Sequence, residues 1–597
     1  MIRSERYLIS QVFPIFSQLN KTFGGSVEKD FATSSYRYFL IWGICSSLSL
    51  TVCTIIDATL VGNLVGPNGL AVTNISTPVF LFYALLGITI GVGANVHIGR
   101  LLGASDIEKA NRTFHSQFCL GLMVGLLTLS PLLFKDAYFS FLGVTDELYP
   151  LAKQYLGVVM WSAPVFIIYH ILSFSVRSDS DPKLSAVASG VVIITNLTLD
   201  ILFMKVFRWG IIGASSSLCI AELLGVSVLL THFAKKHTLL KLGLSLPTLK
   251  DVKAFVFDGF GIGSGNIFNA VVMLVFNTLL LHNGVLGAMY VAIYGIIYTI
   301  STIPIGVFDG ASGALSTVTA FLVGESDKDG IFSILKNALT VAVISGGTLT
   351  IICTLTSTSL VNFFGIRDNV SMASKALGIF SLGIIFTGIN MVFTAFWQAI
   401  GRAKMAAAMS FFKNFLFLLI FGVFLIPSFN IMGLSLSYLS TEILCSLGIL
   451  VVLFTSPSKK LIEEKYGSKG KSEERVYTIE TESMAKISGD IESISEEWEI
   501  GIKESFVINF ICEELLLNII KFGLQNKDKK KSYYISIKLI EKGDDIVLRI
   551  RDNVREYNPF ESEGDEIDKG VLNLIQKKTK YCDYQRKMVF NYLYLVI

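Results

Sequence analysis

Apolar residues along most of this chain run in unbroken blocks instead of alternating with polar ones. The blocks are about twenty residues long, the length that crosses a hydrocarbon core. Twelve of them begin near Tyr38, Leu70, Thr113, Leu151, Leu184, Ile211, Ala254, Leu286, Ile331, Met372, Ala406 and Ile431, and the last ends near Thr455. Beyond Pro457 the pattern changes. A polar linker at 456–474 gives way to a strand at 476–480 and helical stretches at 482–499 and 501–524. Short strands at 535–539 and 546–550, a helix at 567–579 and a closing hairpin at 581–597 complete it. The pattern predicts an α-helical membrane protein with twelve transmembrane helices in two six-helix lobes, plus a C-terminal α+β soluble domain. The divisions are a leader at 1–36, lobes at 37–233 and 254–455, a basic inter-lobe loop at 234–253, the linker, and the tail at 475–597.

Two lobes follow from a repeat. Leu-Leu-Gly-Ala-Ser-Asp at 101–106 recurs as Leu-Val-Gly-Glu-Ser-Asp at 322–327. The segment 211–224 recurs at 431–444, again about 220 residues on. Each half begins on the same side of the membrane, so the repeats are parallel, an arrangement found in carriers whose lobes rock around a central cleft. Lys and Arg collect in alternate loops: Arg37, Arg100, Arg177, Lys183, the lysines of 235–253, Lys328, Arg402 and Lys404 on one side, few on the other. That asymmetry places both termini in the cytoplasm. The leader carries no signal-peptide pattern.

Charge sharpens the division. Of the 97 Asp, Glu, Lys and Arg residues, 50 lie within 457–597. The net charge of +3 provides no basic excess for a nucleic-acid partner. The eight cysteines show no C-x-x-C pair, and the histidines have no metal-ligand spacing. A Walker-A sequence is absent, so the membrane part reads as a carrier and not as a nucleotide-driven pump.

The membrane part is so poor in ionisable groups that each of its carboxylates stands out. Asp57 falls in the first block. Asp200 falls in the fifth, one helical turn after Asn196, so those two share a helix face. Two carboxylates and an amide form a hard-oxygen set suited to Na⁺ or to a shared proton; the plainer alternative is a pair of acids at helix ends in water. Glu222 and Glu442 are repeat equivalents, read either as cleft carboxylates or as serine-stabilised pairs near helix ends. Asp309, after Pro304 and Gly306, is read either as a third candidate for the cleft or as a residue at a helix break.

The stretch 56–62 (Ile-Asp-Ala-Thr-Leu-Val-Gly) resembles the first-span motif of the multidrug and toxic compound extrusion (MATE) family. The likeness continues through Gly87, Gly91 and Gly93, then 177–183 (Arg-Ser-Asp-Ser-Asp-Pro-Lys), then Asn196-Leu197-Thr198-Leu199-Asp200 with Phe203. It implies an antiporter that exports cationic or amphipathic small molecules by alternating access, driven by Na⁺ or H⁺, with no other cofactor and with membrane lipid as its surroundings. The family's first-lobe cation site carries over onto Asp57, Asn196 and Asp200; its sixth-span hydroxyl has Ser217 or Ser216 as the nearest substitute. The seventh span, around Asn266 to Leu281, and the tenth block lack the acids that some members use.

In the tail, Glu514 and Asn518 stand one helical turn apart, and a strand ends at Asp552. The pair resembles the anti-sigma-factor serine-kinase branch of the GHKL ATPases. The resemblance implies that Asn518 holds Mg²⁺, Glu514 serves as general base, Asp552 binds adenine, and Gly570 is what remains of the phosphate lid. The second-motif glycines are replaced by Val554 and Glu556, so the tail reads as a degenerate relative kept for regulation or for a cytoplasmic protein partner, with ATP-Mg binding in doubt and ATPase or kinase turnover not expected. Two other functions fit the same architecture: a membrane sensor signalling through the tail, and a lipid or oligosaccharide flippase, which a strongly cationic cleft would favour.

Overall fold

The structure is a computed structural model that describes residues 31–141, 148–235, 238–282, 286–364, 366, 369–455, 471–524, 533–543, 545–561, 566–588 and 590–597. Most of the expected leader and linker lies outside these residues. The chain divides into two compact units, Tyr36–Lys465 and a second made of Met1–Ser35 with Tyr466–Ile597.

The larger unit is helical. Its elements are α1 (Phe31–Leu64, in this unit from Tyr36 on), α2 (Pro67–Gly103), α3 (Ile107–Leu127), α4 (Lys135–Phe141), α5 (Tyr149–Ser178), α6 (Pro182–Asp200) and α7 (Ile211–Phe233). Then come α8 (Leu249–Gly263), α9 (Gly265–Leu281), α10 (Gly287–Gly324), α11 (Lys328–Leu355), α12 (Ser357–Phe363), α13 (Val370–Ser381), α14 (Ile384–Ala399), α15 (Ala403–Phe411) and α16 (Phe417–Thr455). Among the described residues nine helical stretches are long and apolar enough to cross a membrane, and ten when the bent pair α8–α9 counts as one span. The bend, 40° at Ser264, follows Gly259, Gly261 and Gly263, residues that weaken a helix. The stretch Ala403–Thr455 would be about 80 Å long if straight. It breaks at Asn430, whose φ of 53° is left-handed; asparagine tolerates that region better than most residues.

The repeat is visible in the backbone. After α2, Ser105 takes φ 60° and Asp106 caps α3 by accepting from the Lys109 N–H; after α10, Ser326 takes φ 58° and Asp327 caps α11 by accepting from the Gly330 N–H. An Asp in that position satisfies an orphan N–H of the first turn.

The two halves meet in a seam of small residues at one end of the bundle. A Cβ built on Gly324 would stand 2.0 Å from the Arg100 carbonyl oxygen, and one on Gly103 would stand 2.0 Å from that of Phe321. Only glycine permits such approach of α2 and α10. Further along, Gly43 of α1 faces Gly310 of α10. Arg100 fastens this end by donating to the carbonyls of Ala399 (2.7 Å) and Gln398 (3.3 Å).

The tail is α+β. Strands β1 (Ser472–Thr478), β2 (Tyr534–Lys542), β3 (Asp545–Asp552), β4 (Tyr581–Lys587) and β5 (Phe590–Val596) form one antiparallel sheet in the order β1-β2-β3-β5-β4. Helices α17 (Ser483–Glu497), α18 (Ile502–Asn518) and α19 (Glu566–Lys578) accompany it. Period-two alternation sends Ile535, Ile537, Leu539, Leu548, Ile550, Leu593 and Leu595 into one core with Ile487, Ile491, Ile508 and Leu515 of the helices. The alternating positions put Lys538, Arg549 and Arg551 on the opposite face. There Phe31 lies over Arg551, 4.2 Å from guanidinium carbon to ring centroid, and packs at a tilt against Phe590 with centroids 4.8 Å apart. Ser35 donates to the Met588 carbonyl. The end of the expected leader is therefore part of the tail's compact unit.

Candidate functional site

Three helices of the first half converge on one polar cluster. Asn196 and Asp200 sit a turn apart on α6, and the Asn196 amide donates to Asp200 Oδ2 at 3.0 Å. Ser217, near the start of α7, donates to Asp200 Oδ1 through a short hydrogen bond. Asp57 of α1 joins them, one helical turn on from the cysteine that meets Asn196. Cys53, one turn before Asp57, lies 3.9 Å from the Asn196 amide. Asp200, Asn196 and Ser217 are buried. The Asp57 Oδ1 and Asn196 Oδ1 atoms have no hydrogen-bond partner among the described residues.

These atoms fit a small hard cation or a proton. Two carboxylates packed together out of water cannot both stay charged without compensation. The two orphan oxygens, with the Asp200 carboxylate, supply oxygen ligands of the kind Na⁺ takes; a proton shared between the acids meets the same need. Ser217 fills the hydroxyl position for which the sequence offered Ser217 or Ser216.

The other candidates fall in different surroundings. Glu222, on α7, is buried, and its Oε2 finds no partner among the described residues. It follows Ser217 of the cluster by five residues on the same helix. Glu442, on α16, is fully engaged. Lys413 lies 3.3 Å from its Oε1, and the Asn390 amide donates to its Oε2 at 2.6 Å. Ser446 donates to Asn390 Oδ1, closing the group. Asp309 stands in the field of Lys413 and Arg177 and, among the described residues, shares no hydrogen bond with either cluster.

Sequence reasoning missed two cations. Lys413 lies in a π-helical turn, Phe412–Leu416, with Phe411, Phe412, Phe415 and Phe417 around it in sequence. Arg177, counted with the loop cations, turns inward to Ser46, Ser173 and Ser185. A clamp at the α5–α6 turn was missed as well. His232, assigned no role on spacing, approaches Asp179 at 2.8 Å and Asp181 at 3.3 Å. Lys235 pairs with Asp181 at 2.7 Å. Burial alone would raise the Asp181 carboxyl; the bonds from His232, Lys235 and the Leu184 N–H outweigh it and hold the group well below the usual range.

In the tail the nucleotide-like residues come together but engage one another. The Asn518 amide donates to the Glu514 carbonyl, and the Tyr557 hydroxyl donates to Asn518 Oδ1 at 3.4 Å. Tyr557 stacks on Phe522. Asp552 is buried, and its Oδ1 accepts from Asn591 (2.8 Å) and from the Val554 N–H (3.1 Å). Burial pushes the Asp552 carboxyl up to about 6. The hollow beside it is narrow and lined by Leu515, Ile519, Ile550, Tyr557 and Tyr584. Gly570 lies in α19, in helical and not loop backbone. This arrangement does not fit Mg-ATP: the Asn518 amide group is bonded at both ends, and the aromatic side chains of Tyr557 and Tyr584 wall a narrow hollow.

The MatE family model matches residues 44–202 and 265–424 of this chain. The multidrug export protein MepA of Staphylococcus aureus (strain MSSA476) is 24% identical over 441 residues, which is 72% of this chain and 94% of the relative. Its namesake from Staphylococcus saprophyticus is 25% identical over 442 residues, with the same shares. Two solved structures share the fold, each with TM-score 0.67 and 20% identity. One is a MATE crystal structure in complex with MaL6, covering 73% of this chain and 98% of its own; the other is the outward-facing conformation of a multidrug resistance MATE family transporter of the MOP superfamily, covering 73% and 97%.

Proposed function

The chain belongs to the MATE family of multi-pass membrane proteins, which are secondary transporters and not enzymes, and from that premise we propose that it exports cationic or amphipathic small molecules by cation-coupled antiport. The observation that carries the reading is the cluster of Asp57, Asn196, Asp200 and Ser217, contributed by three separate helices. The names of the relatives, multidrug export proteins, favour a drug-like substrate. Twelve spans and cytoplasmic termini complete the reading: the break at Asn430 divides Ala403–Thr455 into two membrane-length pieces, and basic loops alternate along the sequence.

The mechanism follows from charge. Asp57 rides on α1 and Asp200 on α6. A Na⁺ or H⁺ supplies the missing positive charge and lets the two helices stay together; its departure leaves two carboxylates repelling across the contact. Asn196 and Ser217 orient Asp200 in either state. Because binding at this site stabilises one arrangement of the first lobe, it biases alternating access, and linkage makes the substrate's bias reciprocal.

The tail is read as a GHKL-like module that has lost nucleotide binding and serves as a cytoplasmic regulatory or partner-binding domain. Support comes from Tyr557 bonded to Asn518, from Val554 packed in place of a glycine, and from Gly570 lying in a helix.

The test is counterflow in proteoliposomes with Na⁺ and pH gradients imposed separately. Asp200→Asn is expected to abolish gradient-driven export while membrane insertion is retained. Transport at the unmodified rate in that variant would sink the site assignment.

A further inference from the structure

The two halves of the molecule share an ancestral plan, and their charges are arranged differently. Glu222 on α7 and Glu442 on α16 occupy the same position of the repeated segment, 220 residues apart. Both are buried. In the second half the carboxylate is neutralised within the protein, by Lys413 at 3.3 Å and Asn390 at 2.6 Å. The repeat runs at an offset of 220 or 221, so Val192 or Ile193 stands where Lys413 stands, Leu416 or Phe417 where Asn196 does, and Ile420 or Phe421 where Asp200 does. The second half has thus lost the α6 acid site, kept one glutamate and acquired a lysine beside it. The first half has kept the acids and has an apolar residue at the lysine position.

Among the described residues, Glu222 has no ion-pair partner. Its side chain is more than nine-tenths shielded from solvent, and its Oε2 bonds to nothing among the described residues. Near it stand Cys53 of α1, Tyr169 of α5 and Cys219 of its own helix. Arg177 reaches the same region through Ser46 and Ser189, and its printed bonds go to serines and not to Glu222. Tyr169 directs its hydroxyl to Ser189. A buried carboxylate with no ion-pair partner takes its compensation from outside the protein, as a proton or a bound cation.

We propose that Glu222 is a second cation- or proton-carrying carboxylate of the first lobe, so that each transport cycle moves one equivalent at Asp57 and Asp200 and another at Glu222. Its counterpart Glu442 is locked by Lys413 and moves none. This rests on the antiport reading above and extends it to stoichiometry.

The experiment is a reversal measurement on full-length protein in proteoliposomes. A fixed gradient of a fluorescent organic cation is balanced against graded Na⁺ or pH gradients, in separate arms, and the null point gives the number of ions per substrate. The intact protein is expected to exchange two ions per substrate, and Glu222→Gln one, with export retained at lower driving force. The ion whose gradient shifts the null point is the one carried. The double variant Lys413→Met with Glu442→Gln keeps the value of two. A value of two in Glu222→Gln, or of one in the intact protein, overturns the proposal. Glu222→Asp, which keeps the carboxylate, guards against a folding artefact and is expected to restore two; a value of one there also overturns it. Failure of the underlying antiport reading looks different, with no null point responding to either ion in any variant.

Discussion

The seam between α2 and α10 makes a sharp prediction about which end of the transporter is closed. At Gly324 a Cβ would lie 2.0 Å from the Arg100 carbonyl oxygen, and that contact is backbone, with no side chain able to rotate away. Ordinary contact between a methyl and an oxygen begins near 3.4 Å. Gly324→Ala therefore demands that the two helices separate by roughly 1.4 Å, at a cost typical of an overpacked interior, about 1–3 kcal/mol. Because the strain exists only where the helices touch, it falls on the closed state of this end. An equilibrium between closed and open then shifts toward open by roughly 5- to 150-fold.

The shift is measurable in the full-length protein by pulsed electron resonance between spin labels at Glu108 and Asp329, exposed residues in the first turns of α3 and α11. Gly324→Ala is expected to add a longer-distance population and to slow export, since the end that must close resists closing. Gly190→Ala is the control, because a Cβ there meets nothing within 4 Å. A distance distribution for Gly324→Ala that matches the Gly190→Ala control would refute the seam as a gate.

Two further outcomes follow from buried charge. Lys413→Met strips Glu442 of its partner and is expected to cost about 3–5 kcal/mol of stability; thermal denaturation in detergent checks this, and adding Glu442→Gln is expected to recover most of the loss. In the tail, Asp552 has its folded pKa raised from 3.8 to about 6 by burial, so its protonated form favours the fold. Its contribution is fully present below the unfolded value and is lost as pH rises from about 4 to 6, by on the order of 3 kcal/mol. Hydrogen exchange of β3 amides in the full-length protein is expected to slow at pH 4.5 relative to pH 7 after correction for intrinsic rates, and Asp552→Asn is expected to remove that component.

Much of the architecture was legible because it is written in composition. Blocks of apolar residues need no long-range information to be recognised, and the 220-residue offset was visible in two short segments. The tail's strands and helices followed from period and from turn residues. The site was legible only in part. Asp57, Asn196 and Asp200 stood out as polar groups in apolar blocks, but no local pattern shows that α1 meets α6. Ser217 was left beside Ser216 because the choice depends on the rotation of α7 against α6. Lys413 escaped because its neighbours are phenylalanines that dominate any hydropathy average; its nearest signal was Glu442 in the following block, a lone acid that needs a cation. The bend in the seventh block has a local signal in the three glycines before Ser264. In the tail, replaced glycines signalled a damaged motif, but only packing reveals that Tyr557 engages Asn518.

One helix joins the two halves of the mechanism. Asp57, in the carboxylate cluster, and Gly43, in the seam against Gly310, both belong to α1. Fourteen residues separate them, about 21 Å along a straight helix. A tilt of α1 by only about 5° around Asp57 would displace Gly43 by roughly 2 Å over that lever. That distance is large beside the Gly43–Gly310 approach, where a Cβ would already stand 2.8 Å from the facing carbonyl oxygen. A close-packed contact of this kind is either made or broken and has little room to stretch. Repulsion between Asp57 and Asp200 need therefore move α1 only slightly to decide whether the seam closes. The second lobe, with its glutamate held by its own lysine, gives the seam a fixed surface to close against.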